Sequence, residues 1–154
     1  MLERIAAQEP DLLLHAGDIG DLSVLEELRE LAPLIAVRGN IDERGEDLPD
    51  SIALELTLAG EAHFSLLLTH VALRGPRLLP RVAERAQQDA CALVVCGHSH
   101  IPFLGKDRGL GIFNPGSVGP RRFHLPITLG VMALRDSTLS LRHVDVESGE
   151  TWSP

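Results

Sequence analysis

Four apolar runs along this chain each end in a small polar tip, and that repeated transition constrains the fold more than any other feature. The runs are Leu12-Leu13-Leu14, Leu34-Ile35-Ala36-Val37, Phe64-Ser65-Leu66-Leu67-Leu68 and Ala92-Leu93-Val94-Val95. The tips that follow are Gly17-Asp18, Gly39-Asn40, Thr69-His70 and Gly97-His98-Ser99-His100, the last supplying two ligand-type side chains. Short continuous apolar runs of this kind suit parallel strands buried on both faces. In such sheets a ligand binds outside the carboxyl ends of the strands. One Asp, one Asn and three His are therefore expected on one rim. Carboxylate, amide oxygen and imidazole nitrogen together suit Mn, Zn, Fe or Ni.

The periodicity predicts helices over residues 2–8, 21–31 and 76–88, the last opened by Pro76, since proline is favoured in a first helical turn. Strands are expected at 11–15, 34–37, 52–58, 63–69, 90–95, 101–104, 109–113, 127–134 and 138–144. Residues 41–49 read as a charged surface loop, and Ala59-Gly60-Glu61, Lys106-Asp107-Arg108-Gly109 and Arg135-Asp136-Ser137 as turns. Strand and helix alternate first, and strands then dominate. That order predicts an α/β domain with two sheets face to face, covered by helices. With 154 residues, 44% of them apolar, the chain reads as one domain with a real core.

The net charge of −8 argues against a broad basic surface for nucleic acid or anionic membrane. A phosphate substrate remains compatible, because a bound cation can dominate the local field. Cys91 and Cys96 sit on or beside one expected strand, roughly 17 Å apart at the usual rise, too far for a disulfide. They read as buried thiols of a protein in a reducing cytosol. The first residues show no signal peptide, and no run approaches the length of a membrane span.

Taken in order, Gly-Asp, Gly39-Asn40-Ile41-Asp42, Thr-His, Gly-His-Ser-His and Asn114-Pro115-Gly116-Ser117 resemble the calcineurin-like metallophosphoesterase superfamily, in its small bacterial and archaeal phosphodiesterase branch. The resemblance runs from about Asp11 to Leu141. It implies a four-layer α-β-β-α sandwich of two mixed sheets flanked by helices, and two metals sharing a carboxylate. Carried over by position, Asp18 is the bridging ligand, Asn40, His70 and His98 complete one site, and His100 belongs to the other. It further implies attack on phosphorus by a hydroxide held between the metals, with Asp18, Asn40 and His70 as the catalytic set. Mn is the leading metal, with Zn, Fe or Ni as alternatives.

The departure is at the start, where the family opens with a strand ending in Asp-x-His. No Asp-x-His precedes Asp18 here, so the fold is expected to lack the family's first strand. The chain reads as truncated or mis-started, with a natural one-metal or metal-free variant as the other explanation. Asp18, Asn40, His70 and His98 would still make a single-metal shell. Loss of a central strand would leave its neighbours unpaired or forced together, and an exposed sheet edge would encourage a homo-oligomer.

Other residues carry weaker expectations. Arg38, Asn114 and Arg121 are candidates for substrate binding, with Asn114 also placed to brace ligands, while Arg122 reads as solvated surface. Asp42 reads as a loop-holding residue near the site. His15 and His63 match no motif, and His124 and His143 read as surface. Ile41 replaces the His that relatives carry between Asn and Asp; it cannot donate a proton, which favours activated or diester substrates. The leading function is a cytoplasmic metal-dependent phosphodiesterase acting on a small phosphodiester, with neither membrane nor nucleic acid as partner. The alternative is a metal-deficient, protein-binding scaffold of the same fold.

Overall fold

The computed structural model describes residues 1–43, 48–58, 61–135 and 138–153. The elements run α1 (Leu2–Ala6), β1 (Leu13–His15), α2 (Ser23–Arg29), β2 (Leu34–Ala36), β3 (Ser51–Leu58), β4 (Glu61–Thr69), β5 (Leu73–Arg74) and β6 (Arg77–Leu78). They continue with α3 (Pro80–Gln88), β7 (Leu93–Cys96), β8 (Phe103–Asp107), β9 (Leu110–Asn114), β10 (Thr128–Arg135), β11 (Thr138–Asp145) and β12 (Thr151–Trp152). The turns expected at Ala59-Gly60 and Asp136-Ser137, the middle of the 41–49 loop and the side chain of His63 lie outside the described residues.

The larger sheet has five strands in the order β3-β4-β7-β9-β8. Its inner pairs, β4–β7 and β7–β9, are parallel, and its outer pairs are antiparallel. Every residue of β7 is buried, as Leu-Val-Val-Cys requires, since neither face offers a side chain to water. Successive side chains of these strands point to opposite faces. On one face Leu67, Val94 and Ile112 pack under Val82, Ala83 and Ala86 of α3. On the other, Leu66, Leu68, Leu93, Val95 and Phe113 meet Leu14 and Ile35 of β1 and β2, and Met132, Leu139 and Leu141 of β10 and β11.

That second β layer comes in two pieces, a parallel β1–β2 pair and an antiparallel β10-β11-β12 sheet. Arg4 of α1 ties the chain's start to it by donating to the carbonyls of Val146 (3.1 Å) and Glu147 (2.9 Å). Helices α1 and α2, the divided layer, the five-stranded sheet and α3 make the expected α-β-β-α order. Register brings the polar tips together. His15 pairs with Ala36, so β1 and β2 end level, and Thr69 pairs with Cys96, so β4 and β7 do the same.

Some expectations are corrected. Strands β1 and β2 are half-buried throughout, not covered on both faces, because among the described residues they form a two-stranded sheet. Helix α3 starts at Pro80 rather than Pro76. Residues 73–78 instead form the β5–β6 hairpin, with Gly75 at φ +58 at its tip and Pro80 taking the first-turn role. His143 is 1% exposed rather than at the surface. Its Nε2 donates to the Asn114 carbonyl at 2.7 Å and its ring packs between Phe113 and Trp152. The short strand β12, which sequence periodicity does not reveal, pairs beside it. Both cysteines are buried and free, and burial pushes the Cys96 thiol up to about 12. Among the described residues, no helix is long and apolar enough to cross a membrane.

A candidate metal-binding rim

Two loops from the β1–β2 pair and two from β4 and β7 meet along one edge. Gly39 crosses the 17–18 loop so closely that a Cβ on it would lie 1.9 Å from the Asp18 amide nitrogen. Glycine is required there by space. At Gly17 it is required also by a φ of +88, with a Cβ only 2.7 Å from Gly39 nitrogen.

Asp42 ties these two loops together. Its Oδ1 accepts from the amides of Ile19 (2.8 Å) and Gly20 (3.1 Å), and its Oδ2 from Gly39 (2.7 Å). Burial works to raise its pKa, but the amides of Gly39, Gly20, Ile19 and Asp18 outweigh it and hold the carboxyl below its ordinary value. Asp18 makes the reciprocal connection, its Oδ1 accepting from the amides of Asn40 (2.7 Å) and Ile41 (3.3 Å).

His70 stands opposite Asp18. Its Nδ1 lies 2.7 Å from the Ala16 carbonyl, which can only accept, so Nδ1 carries the proton. In the neutral ring Nε2 is then a bare lone pair. It is buried without a hydrogen-bond partner and faces Asp18 Oδ1 at 3.3 Å. Two acceptors pointed at each other in a buried place repel unless a cation lies between them. Ligands each about 2.1 Å from one divalent ion stand about 3.0–3.4 Å apart at right-angled to tetrahedral geometry, and this pair fits that spacing. The other carboxylate oxygen, Oδ2, faces His100 Nε2 at 3.9 Å. Asp18 thus presents one oxygen to each of two imidazoles, the disposition a bridging carboxylate needs. The His98 ring stands edge-on to His70, with centroids 5.2 Å apart. Asn40 is exposed beside them.

Among the described residues, no three His, Cys, Asp or Glu side chains are already drawn together tightly enough to enclose a cation. The donor atoms stand in two pairs around Asp18, one with His70 and one with His100. Three of the seven non-glycine residues with positive φ among the described residues fall here, Asp18 (φ 59), His98 (φ 66) and His100 (φ 56). Such conformations cost of order 1–3 kcal/mol each and concentrate at functional sites. His100 titrates below the ordinary imidazole value, first through burial and then through the charge of Arg122, with Asp18 opposing. A neutral imidazole is the form that binds metal.

The remaining candidates are placed plainly. Asn114 is 0% exposed. Its Nδ2 donates to the Gly97 carbonyl (2.8 Å) and Ser99 Oγ (3.1 Å), and its Oδ1 accepts from Gly116 (3.0 Å). It braces the loop that carries His98 and His100. Arg121 turns away to Glu147 and the Leu125 carbonyl. Arg38 pairs with Asp50 and lines an adjoining cavity.

Arg122 is exposed, as its sequence reading expects. One residue near the rim escapes sequence reasoning: His15, whose Nδ1 accepts from the Gly17 amide at 3.2 Å. Burial drops its pKa, with Asp42 opposing. Its place at the end of an apolar run was the signal available.

The calcineurin-like phosphoesterase superfamily domain matches residues 1–137 of the chain. A probable metallophosphoesterase of Methanocaldococcus jannaschii is 33% identical over 109 residues, covering 70% of this chain and 53% of that protein. The phosphodiesterase YfcE of Escherichia coli is 33% identical over 114 residues, covering 71% of this chain and 58% of YfcE. The chain therefore spans little more than half the length of these two relatives. Wild-type Vps29 of Entamoeba histolytica, solved in complex with Zn2+, shares the fold with a TM-score of 0.76 at 21% identity, over 98% of this chain and 84% of that one.

Proposed function

This chain belongs to the calcineurin-like phosphoesterase superfamily, and from that premise we propose that it hydrolyses small phosphodiesters with divalent cations held on the rim. The observation that carries the reading is the unpartnered lone pair of His70 facing Asp18 across 3.3 Å. The naming of YfcE as a phosphodiesterase supports the reaction class. Asp18, Asn40, His70 and His98 hold one cation, and Asp18 with His100 contributes to a second. A bound divalent cation supplies charge neutralisation for the phosphoryl oxygens and a lowered water pKa. Mn suits this mixed oxygen and imidazole set, as do Zn, Fe and Ni.

The chain's own residues do the rest. Asp42 and Gly39 fix the distance between Asp18 and Asn40. Asn114 fixes the loop of His98 and His100. Arg122, exposed in the loop that follows β9, is the arginine assigned here to the phosphoryl oxygens. Ile41, 66% exposed at the rim, donates no proton, so leaving groups that need none, or that take it from water, are preferred. The two buried free thiols support a reducing, cytoplasmic setting.

Elemental analysis after Mn loading, together with hydrolysis of bis(p-nitrophenyl) phosphate, tests this. One or two Mn per chain and turnover that drops at least about 100-fold in Asp18→Asn are expected. No retained metal and no turnover would sink the enzyme and favour a protein-binding scaffold.

A further inference from the structure

Beside the rim lies a cavity of about 600 Å3, lined by Asn40 and His70 together with Arg38, Arg81 and Arg85. That volume is within the range of small-molecule sites and roughly 10 Å across, the span of one sugar phosphate or nucleotide. Arg81 and Arg85 stand four residues apart on α3, one turn along the same face. The opposite face, Val82, Ala83 and Ala86, is buried in the core, so the helix cannot roll the arginines away.

Counting Asp89, the charged groups here are equal in number, Arg38, Arg81 and Arg85 against Asp42, Asp50 and Asp89, but they are not evenly paired. The cavity's own carboxylates are Asp42 and Asp50. Asp42 is engaged by backbone amides and Asp50 by Arg38. Arg85 pairs with Asp89 at its own helix end. Arg81 has no carboxylate partner among the described residues. It sits in the first turn of α3, where no acidic residue accompanies it and the helix dipole disfavours a cation. An uncompensated arginine in such a place, in a chain of net charge −8, is suited to an anion that comes from outside.

We propose that this cavity is a second-phosphate subsite: the substrate is a phosphodiester carrying a further phosphate about one sugar away from the scissile group. The scissile group lies against Asn40 and His70, and Arg81 and Arg85 receive the distal phosphate. Guanidinium forks match tetrahedral phosphate oxygens, and two forks one turn apart can share one phosphate. The inference rests on the phosphodiesterase reading for its catalytic half and on the cavity alone for its binding half.

Two measurements separate these halves. The first compares thymidine 5′-(p-nitrophenyl phosphate) with its 3′-phosphorylated counterpart, using Mn-loaded protein. The 3′-phosphate is expected to raise kcat/KM at least about tenfold, mainly through KM, and the Arg81→Ala/Arg85→Ala protein to bring the ratio near one. Both arginines are exposed, so alanine leaves the packed face of α3 intact. The second is calorimetric binding of tripolyphosphate to the metal-free protein, expected to weaken about tenfold in the same variant. Equal turnover of the two diesters, or a ratio or a tripolyphosphate affinity that the variant leaves unchanged, overturns the subsite while the phosphodiesterase reading stands. If neither diester is cleaved, the phosphodiesterase reading fails, and tripolyphosphate binding by itself decides the subsite.

Discussion

The rim has two halves, and they are held by different physics. His70, His98 and His100 follow strands β4 and β7, whose residues at the pairing register are buried and whose faces are covered by two apolar clusters. Asp18 and Asn40 follow β1 and β2, which are half-buried and paired only with each other among the described residues. The histidine half is positioned by strand packing and one buried amide, Asn114. The carboxylate half is positioned by loop crossing, with Gly39 against Asp18 and Asp42 capping three amides. The difference teaches that a site can be rigid where its sheet is thin, provided that backbone donors and a carboxylate replace the missing packing. It also separates what a mutation will damage: stability on one side, geometry on the other.

The sharpest way to break this contrast is Gly39→Ala. A Cβ 1.9 Å from a backbone nitrogen cannot be relieved by a rotamer change, so the 17–18 and 39–40 loops must part. Mn affinity by calorimetry is expected to fall about 100-fold, the upper end for disturbed ligand support, while the urea midpoint moves little. The control is Gly75→Ala, where a Cβ meets nothing within 4 Å; the left-handed φ there gives it a backbone cost and no effect on metal. Equal losses of affinity in the two variants would remove the close crossing from the account.

Asn114→Ala probes the other half and should behave in the opposite way. It leaves the Gly97 carbonyl and the Gly116 amide without their partner and opens a small void at a fully buried position. A loss of about 2–4 kcal/mol in the metal-free protein is expected from urea denaturation. A wild-type stability with metal binding destroyed would mean that Asn114 serves the site alone. Asp42→Asn comes next in size. The amide keeps one acceptor oxygen but puts a donor against backbone amides, so about a tenfold loss of Mn affinity is expected with the fold preserved. An unchanged affinity would show that Gly39 alone keeps the loops in place.

The histidine half was also the more legible half. Runs such as Leu93-Val94-Val95 are short and rich in β-branched residues, which favours a buried strand over a helix, and the tip after each run follows from strand direction. The family resemblance then assigned Asp18, Asn40, His70, His98 and His100 to the rim, and the fold brings them to one edge. What stayed illegible was side-chain direction within loops. Arg121 and Arg122 are neighbours of the same type, and only the position of Glu147 decides which is held away. His143 looked like a surface residue because the strand that covers it, Thr151–Trp152, is too short to show a period. Pro76 and Pro80 both satisfy the rule for a first helical turn. Gly75, free to take a positive φ, turns the first into a hairpin tip.

The smallest expected effect, a pH dependence, sharpens the comparison because titrating histidines lie on both sides of it. His15 supports the carboxylate half, His100 stands at the rim, and His143 is buried behind Asn114. All three titrate below the ordinary value of 6.5, each first through burial. Below 6.5 the unfolded chain therefore binds more protons than the folded one. Stability of the metal-free protein is expected to be full above pH 6.5 and to fall as the pH drops through the folded values. Replacing His143 by Gln keeps a donor for the Asn114 carbonyl and removes one proton site, so the slope of stability against pH between 6.5 and 5 should flatten without a change in Mn affinity at pH 8. Replacing His15 by Gln should flatten the slope as well, but here Mn affinity should also decline, because Gly17 loses the ring nitrogen it donates to. If both variants behaved alike, the two halves of the rim would be one coupled unit rather than two independently supported ones.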